Sequence, residues 1–237
     1  MMDRLALDWE NKNWENIDTV LLDMDGTLLD LSFDNYFWLQ YLPEQFASAR
    51  HTSIEDAKAQ LTTRFGQHHG TLNWYCVDFW SNALDLDIRA LKHSVRERIQ
   101  PRPHAIDFLR AVKNSGRTSV LCTNAHRASL DLKLAQTDIG QYFDLQISSH
   151  DFGYPKEDPH FWNALREYLG SPSQHVHYDT QRTLLIDDNA TVLQTAHNAG
   201  IGFLLGVLKP DLQREEMHYA QFAAVDDFRH IFPPERG

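Results

Sequence analysis

Cysteine and long apolar segments are both scarce in this chain of 237 residues. The only cysteines are Cys76 and Cys122, which excludes a disulfide-based scaffold and predicts a reducing, cytoplasmic environment. The longest apolar runs, such as residues 201–208, have the length of a strand and fall far short of the roughly 18–20 residues of a membrane span. Residues 1–18 are acidic and lack the basic start and apolar core of a signal peptide. We therefore expect no membrane partner.

Positive charge is also in deficit, since 22 Lys and Arg face 33 Asp and Glu and the formal net charge is −11. This balance argues against a broad basic groove for a nucleic-acid polymer. A small phosphorylated ligand remains compatible with it, because one Mg²⁺ and one lysine neutralise a phosphate locally. The content of 42% hydrophobic and 23% charged residues is that of an ordinary globular protein with one or two domains.

Short β-branched and leucine-rich runs alternate with helical patterns along most of the chain. Serial alternation of this kind predicts parallel βαβ units and a doubly wound α/β sheet. The predicted strands are residues 19–22, 118–121, 145–148, 183–186 and 201–206. The predicted helices between them are residues 104–113, 128–137, 159–169 and 190–199. No element is assigned after about Pro210, although one late apolar patch lies at 222–232.

About ninety residues separate the first two predicted strands, far more than one crossover helix uses. The middle of this gap has no convincing strand but carries apolar residues at helical spacing, with helices predicted at 33–41, 54–67, 72–84 and 87–98. We therefore predict an α/β core formed by residues 1–30 and 101–237, with an inserted all-α domain at 31–100.

The most specific local signal is the sequence TVLLDMDGTLLD at residues 19–30. An apolar strand runs directly into Asp23 and Asp25, and side chains two residues apart in an extended chain point to the same side. Gly26 permits a tight turn after them, and Thr27 is expected to hold that turn through a local hydrogen bond. A D-x-D-G-T string arises by chance on the order of once in a few hundred chains of this length.

A second acidic pair, Asp187-Asp188, follows the predicted strand at 183–186. In isolation such a pair is more often the N-cap of a helix. Beside Asp23 and Asp25 at a neighbouring strand end, however, the carboxylates repel one another and require a cation. Ligands that are all oxygen favour Mg²⁺, so we predict a magnesium site at this edge of the sheet.

Two other predicted strand ends carry groups that suit a phosphate. Thr123 and Asn124 follow the second strand and offer a hydroxyl and an amide next to backbone N–H groups. Lys156 follows the third predicted strand in a loop stiffened by Pro155, where its charge neutralises a phosphate. Because α/β folds bind ligands at the carboxyl edge of the sheet, we expect these groups to share one site.

These four elements resemble motifs I to IV of the haloacid dehalogenase (HAD) superfamily and occur in the order of that family. They are DMDGT, the strand ending in Thr123, Lys156 before an acidic helix start, and IDD at 186–188. The resemblance extends over residues 20–206 and implies a Rossmann-like core with a mobile cap of the type inserted after motif I. One departure is visible, since the lysine of motif III is often followed by proline, whereas Lys156 is followed by Glu157.

The resemblance implies a catalytic role for each motif. Asp23 is expected to attack phosphorus and form an aspartyl-phosphate, and Asp25 to act as general acid and then as general base. Thr123 and Lys156 are expected to hold the oxygens that are not transferred. Further phosphate contacts are expected from Asn124, Gly26 and Thr27.

The same resemblance implies the ligands of the magnesium ion. These are the Asp23 carboxylate, the Asp25 backbone carbonyl and Asp188, with Asp187 as a further ligand or an outer support. The second aspartate of motif I also separates subclasses, because a dehalogenase has no alkoxide to protonate. Asp25 therefore favours phosphatase or phosphotransferase chemistry.

Within the superfamily, four stretches resemble the bacterial GMP/IMP nucleotidases, which are purine 5′-nucleotidases. They are FDNYFW (33–38), TLNWYC (71–76), TNAH (123–126) and FGYPKED (152–158). The implied partner is a small phosphomonoester, a purine nucleotide, and the oligomeric state is left open. Aromatic residues crowd the predicted insertion, and one or two of them are expected to stack on the base while the others pack in its core. The eight are Phe33, Tyr36, Phe37, Trp38, Trp74, Tyr75, Phe79 and Trp80.

Two alternatives stay open at this level. A sugar-phosphate phosphatase or phosphomutase would use the same core with a different insertion. A phospho-receiver signalling domain also uses an acidic pocket, a threonine and a lysine, but it needs neither an inserted lid nor the acid Asp25. A zinc site is disfavoured because no Cys/His cluster has a zinc-binding spacing. Of the 13 histidines, only His126 and His150 lie near predicted strand ends and are candidates for contact with a substrate.

Overall fold

The computed structural model describes residues 13–174, 176 and 178–235. Most of the stretch 1–18, which has no signal-peptide character, therefore lies outside the described residues. Six parallel strands form one sheet in the order β3-β2-β1-β4-β5-β6. The strands are β1 Thr19–Leu22, β2 Thr118–Thr123, β3 Leu145–Ser148, β4 Thr183–Ile186, β5 Phe203–Val207 and β6 Ala223–Val225. The prediction of a doubly wound parallel sheet is confirmed.

Strand β1 lies at the centre of the sheet and is buried on both faces. It pairs with β2 on one side and with β4 on the other, with Leu22 opposite Leu121 and Ile186. Val20 and Leu22 pack into the apolar cluster on one face, and Leu21 packs into the cluster on the other. This double burial explains why the strand is continuously apolar rather than alternating.

Residues 31–100, which lie between β1 and β2 and are called the insertion here, are all described and contain helices and no strand. The chain enters and leaves it side by side, because Leu29 pairs with Pro101 and the Asp30 amide donates to the Gln100 carbonyl at 2.9 Å. A π-helical segment, Phe37–Tyr41, joins its first two helices. The helices are α1 Ser32–Tyr36, α2 Leu42–Arg50, α3 Ile54–Gly66, α4 Leu72–Tyr75, α5 Val77–Leu84 and α6 Ile88–Ser94.

One predicted helix of the insertion, at 72–84, is in fact two. The backbone of Cys76 leaves the helical region with φ −86° and ψ 109°, and its side chain caps α5 by accepting a hydrogen bond from the Phe79 amide. The apolar spacing runs through this break, so periodicity alone does not reveal it. The break directs the Cys76 side chain toward the core.

Four helices cover the sheet: α7 Ala105–Asn114, α8 Arg127–Thr137, α9 Pro159–Leu169 and α10 Ala190–Asn198. They match the predicted helices to within one residue at each end. Gly116 follows α7 with φ +70° and Gly200 follows α10 with φ +89°, a left-handed conformation that glycine adopts without steric cost. No helix in the described part of the chain is both long and apolar enough to cross a membrane.

The C-terminal segment completes the sheet, which the sequence analysis does not predict. β6 pairs with β5, and the short 3₁₀ helix Phe228–Ile231 that follows it packs against α7. The Phe228 ring stacks on Phe108 with centroids 4.9 Å apart. A strand of three residues is too short to show a period of two, which is why the apolar patch at 222–232 carried no assignment.

Candidate active site

The carboxyl edge of the sheet brings the two predicted acidic pairs together. The Asp23 amide donates to the carbonyl of Ile186 at 3.0 Å, which connects the end of β1 to the end of β4. Gly26 has φ +85° and its amide donates to Leu29 at 2.9 Å, so the chain turns sharply after Asp25. The strand register, rather than any local sequence feature, therefore sets the distance between the motifs.

A cavity of about 370 Å³ opens at this edge between the sheet and the insertion. Gly26 and Thr27 do not line it, and the Thr27 hydroxyl is buried without a hydrogen-bond partner among the described residues. The expected local hydrogen bond of Thr27 is therefore not formed. Seven of the nine predicted site residues line the cavity: Asp23, Asp25, Thr123, Asn124, Lys156, Asp187 and Asp188.

Lys156 is a buried cation at the floor of the cavity. Its Nζ lies 2.6 Å from Asp23 Oδ1, 2.6 Å from Asp187 Oδ2 and 3.0 Å from the Cys122 carbonyl. Burial alone would lower the pKa of Lys156, but the charges of Asp187 and Asp23 outweigh it and raise the pKa well above its usual value. Burial raises the pKa of Asp23 to about 6, against the opposing effect of Lys156. The lysine thus stays charged and holds the Asp23 carboxylate in place.

Asp188 is the carboxylate of this cluster that has no ion pair among the described residues. Carboxylate oxygens of Asp23, Asp187 and Asp188 lie within 4.8 Å of one another, and Lys156 contacts only the first two. Burial, followed by the charges of Asp23 and Asp187, raises the pKa of Asp188 well above its usual value. Three converging carboxylates with a single lysine between them leave a net charge of −2, which fits a hard divalent cation such as Mg²⁺.

The turn glycine makes room for Asp188. A Cβ added to Gly26 would lie 2.5 Å from Asp188 Oδ2 and 2.7 Å from its Cγ, closer than such atoms approach. Gly26 is therefore required for its absent side chain as well as for its positive φ. The role that the structure suggests for Gly26 is support of the acidic cluster.

The Asp25 carboxylate takes part in a buried ion-pair network that the sequence analysis does not predict. Lys133 Nζ lies 2.6 Å from Asp25 Oδ1 and 2.5 Å from Asp34 Oδ2, and Lys92 Nζ lies 2.8 Å from Asp34 Oδ1. Burial raises the pKa of Asp25 to about 6, with Lys133 opposing. For Asp34 burial acts in the same direction, but Lys133 and Lys92 prevail and lower its pKa.

The sequence positions of the two lysines in this network indicate that they are buried. Lys133 lies on the buried face of α8 with Leu130 and Thr137, and Lys92 lies four residues after the buried Ile88 on α6. A lysine on an apolar helix face is almost never fully buried unless it is paired. Both positions therefore indicate a buried acidic partner, although not which one.

Glu157 connects the insertion to two of the strand-end loops. Its carboxylate accepts hydrogen bonds from the Tyr75 hydroxyl at 2.5 Å, Asn124 Nδ2 at 2.9 Å and Asn189 Nδ2 at 3.1 Å. Asn124 Oδ1 in turn accepts from the Lys156 amide at 2.9 Å. The glutamate at the position where the superfamily often has proline thus fixes the loop that carries Lys156.

Part of the cavity lining is aromatic. Of the eight aromatic residues predicted as core or stacking candidates, Trp38, Trp74, Tyr75 and Trp80 line the cavity. Phe65 lies between the indoles, with its ring 5.7 Å from Trp38, 6.0 Å from Trp74 and 4.9 Å from Trp80. The remaining four do not line the cavity: Phe33, Tyr36, Phe37 and Phe79.

The two histidines considered as substrate contacts do not line the cavity. The ring of His126 packs edge-on against that of His150, with centroids 4.9 Å apart. Burial lowers the pKa of both rings, that of His150 to about 4, so both are neutral near pH 7. Their surroundings form a second cluster, separate from the acidic one.

Comparisons with known proteins agree with this geometry. Residues 17–200 match the family model described as haloacid dehalogenase-like hydrolase. The chain is 41% identical over 223 residues to GMP/IMP nucleotidase YrfG of Escherichia coli, covering 94% of this chain and 97% of that protein. It is 23% identical over 189 residues to pyrimidine 5′-nucleotidase YjjG of the same organism, covering 73% and 78%. Among solved structures, a HAD phosphatase from Thermococcus onnurineus superposes with a TM-score of 0.73 at 19% identity, covering 91% and 96%.

Proposed function

Because the chain belongs to the haloacid dehalogenase-like hydrolase family, we propose that it is a Mg²⁺-dependent phosphomonoesterase that hydrolyses purine nucleoside 5′-monophosphates. The observation that carries the proposal is a single cavity lined both by Asp23 and Asp25 and by a group of aromatic rings. The carboxylates supply phosphoryl-transfer chemistry, and the aromatic rings suit a flat base. The name of the 41% identical relative supports the same substrate class.

In the first step, an oxygen of the Asp23 carboxylate attacks phosphorus and the bond from phosphorus to the ester oxygen breaks. Asp25 gives its proton to the departing alkoxide, which leaves as the nucleoside hydroxyl. Lys156 orients Asp23 from 2.6 Å and neutralises part of the charge on the transferring group. Thr123 and Asn124 hold phosphate oxygens at the end of β2.

In the second step, Asp25 accepts a proton from a water molecule, which attacks the phosphorus of the aspartyl-phosphate. The bond between phosphorus and the Asp23 oxygen breaks, and inorganic phosphate leaves. The residues that would hold the magnesium ion are Asp23, Asp188 and the Asp25 backbone carbonyl, with Asp187 behind them. When bound, the ion offsets the repulsion between the carboxylate nucleophile and the anionic phosphate.

The chemical step is tested by phosphate release with Mg²⁺ and with EDTA. We expect Mg²⁺-dependent release, no turnover by Asp23→Asn, and accumulation of a phosphoenzyme by Asp25→Asn from a substrate with a good leaving group. Asp107→Asn, which changes an exposed aspartate on α7, serves as the matched control. Near-normal turnover by Asp23→Asn contradicts the mechanism. A long-lived phosphoenzyme in the unmodified protein would instead favour a receiver-like role.

The substrate class is tested with IMP, GMP, a pyrimidine 5′-monophosphate and ribose 5-phosphate. Stacking of a base on an aromatic ring contributes about 1–3 kcal/mol. Trp74→Leu should therefore raise KM for GMP by roughly 5- to 150-fold and leave KM for ribose 5-phosphate unchanged. Tyr168→Leu, a partly exposed tyrosine on α9 outside the cavity, is the control. Preferential hydrolysis of ribose 5-phosphate would retain the mechanism and refute the purine assignment.

A further inference from the structure

Cys76, His126 and His150 form a cluster beside the cavity, where the insertion meets the sheet. One potential ligand atom from each of the three side chains lies within 4.8 Å of the others. Cys76 separates α4 from α5, His126 is the N-cap of α8, and His150 follows β3. These residues come from three distant parts of the chain, so their spacing in the sequence does not predict the cluster.

The His150 ring is held with one nitrogen free for a ligand. Its Nε2 is buried and has no hydrogen-bond partner among the described residues. A neutral imidazole carries a lone pair on one ring nitrogen, and an unpartnered Nε2 is available to offer it to a metal ion.

Asp78 supplies a fourth group on the same side of the insertion. Its Oδ2 lies 3.6 Å from His126 Nε2. Arg89 holds the Asp78 carboxylate through Nη2, at 2.7 Å from Oδ1 and 3.0 Å from Oδ2. Because the carboxylate is already anchored, it is positioned to bind without a large loss of side-chain freedom.

We propose that Cys76, His126 and His150, with Asp78 as the fourth ligand, form a binding site for a borderline-soft divalent transition-metal ion, Zn²⁺. A thiolate, two neutral imidazoles and a carboxylate are a tetrahedral zinc donor set. Mg²⁺ does not compete for these ligands, since it prefers oxygen donors. The proposed site is therefore chemically distinct from the acidic cluster of Asp23, Asp187 and Asp188, and the two sites share no residue.

The rearrangement that metal binding requires of Cys76, His126 and His150 is small. Zinc–sulfur and zinc–nitrogen bonds of about 2.3 and 2.0 Å place neighbouring ligand atoms about 3.3–3.6 Å apart. Atoms within 4.8 Å of one another must therefore approach by at most about 1.5 Å. Binding at His126 Nε2 gives up one long hydrogen bond, 3.3 Å from the Ala128 amide to Nδ1. The Cys76 thiol releases its proton to solvent, and the Phe79 amide, which donates to Sγ at 3.3 Å, supports the thiolate.

An ion in this site would connect the two parts of the molecule that enclose the cavity. Cys76 and Asp78 belong to the insertion, whereas His126 and His150 belong to loops at the edge of the sheet. His126 lies two residues after Asn124, and His150 lies six residues before Lys156. Zinc binding would therefore hold the insertion against the sheet next to the cavity.

The first test is a Co²⁺ titration of the metal-stripped full-length protein in saturating Mg²⁺, which occupies the carboxylate site. We expect a thiolate-to-cobalt charge-transfer absorption at one equivalent and its loss in Cys76→Ser. His150→Gln should weaken Co²⁺ binding by at least about tenfold. His218→Gln, which changes an exposed histidine, should leave it unchanged. No absorption in the unmodified protein, or one that persists in Cys76→Ser, overturns the proposal.

A second test needs no variant. Zn²⁺ should slow the alkylation of Cys76 by iodoacetamide at least about tenfold relative to EDTA, both in saturating Mg²⁺, with modification followed by peptide mass spectrometry. Cys122 is fully buried and is the internal reference, since its modification reports unfolding. Equal alkylation rates of Cys76 with Zn²⁺ and with EDTA, while Cys122 stays unmodified, refute the site.

Discussion

Substitution of Asp188 by asparagine should change the stability of this protein in opposite directions with and without Mg²⁺. In the metal-free protein, Asp188 lies within 4.8 Å of Asp23 and Asp187 and has no ion pair among the described residues. Lys156 contacts both of those neighbours, so Asp23, Asp187 and Lys156 together carry a net charge of −1. Asp188 therefore faces about one uncompensated negative charge, and Asp188→Asn removes that repulsion while keeping the shape of the side chain.

The size of the effect follows from the distance. Two like charges 4.8 Å apart repel by about 3 kcal/mol at an effective dielectric constant of about 20. Protonation of Asp188 relieves part of this repulsion in the unmodified protein, because burial and the neighbouring carboxylates raise its pKa. An acid whose pKa is raised on folding loses stability as the pH rises through the folded pKa. The stabilisation by Asp188→Asn should therefore grow with pH, toward about 3 kcal/mol.

The assay is thermal unfolding at pH 8 in EDTA and in excess Mg²⁺. For a chain of this length, 3 kcal/mol corresponds to an increase in Tm of roughly 6–12 °C, which is the size of shift expected for Asp188→Asn in EDTA when the carboxylate is fully ionised. Mg²⁺ at a hundred times its Kd should stabilise the unmodified protein by about 2.7 kcal/mol and the variant by much less. Asp85→Asn, at an exposed left-handed position that asparagine tolerates, is the matched control.

Two results would refute this reasoning. A lower Tm of Asp188→Asn in EDTA would mean that the Asp188 charge is stabilised by contacts within the folded protein. An unchanged Mg²⁺-induced shift would mean that the ion binds elsewhere. The first result concerns the electrostatics of the cluster and the second concerns its role as a metal site, so the two conclusions fail independently.

Three further substitutions test other parts of the site. Lys156→Met leaves two buried carboxylates without their cation and should lower the free energy of unfolding by about 3–5 kcal/mol in a urea titration; a loss below 1 kcal/mol would contradict the ion-pair geometry. Gly26→Ala places a Cβ against Asp188 at positive φ, so it should lower the free energy of unfolding by at least about 1–2 kcal/mol and raise the Mg²⁺ concentration for half-maximal activity. Gly66→Ala, whose new Cβ points into open space on α3, should have neither effect. Lys133→Met frees the Asp25 carboxylate and should lower kcat by about 10²-fold with little change in KM, and an unchanged kcat would show that Lys133 does not position the acid.

The parallel sheet and its acidic edge were predictable because both follow from rules that act along the chain. Strands buried on both faces are continuously apolar, and parallel strands place their carboxyl ends at one edge. Asp23 and Asp187 therefore had to lie close once β1 and β4 were neighbours. β6 was not predicted because a strand of three residues is too short to show an alternating pattern. The helix break at Cys76 was not predicted because the apolar spacing continues through it.

The contacts between the insertion and the sheet belong to a different class, because no local rule sets how two packed units meet. Lys133 and Lys92 could be identified as buried cations from their helix faces, but their shared partner Asp34 depends on how the insertion docks. The same docking brings Tyr75 onto Glu157.

Cys76, His126 and His150 depend on the same docking, which is why the absence of a zinc-binding spacing in the sequence does not argue against a zinc site. A spacing rule describes ligands from one hairpin or helix, whereas these three come from the insertion and from two loops of the sheet. The position of the insertion relative to the sheet thus determines both the ion pair between Asp34 and Lys133, the lysine that also contacts Asp25, and the proposed metal site. Tyr75→Phe, which removes the hydrogen bond from the insertion to Glu157, should therefore weaken Co²⁺ binding, and unchanged binding would show that this bond does not determine the docking.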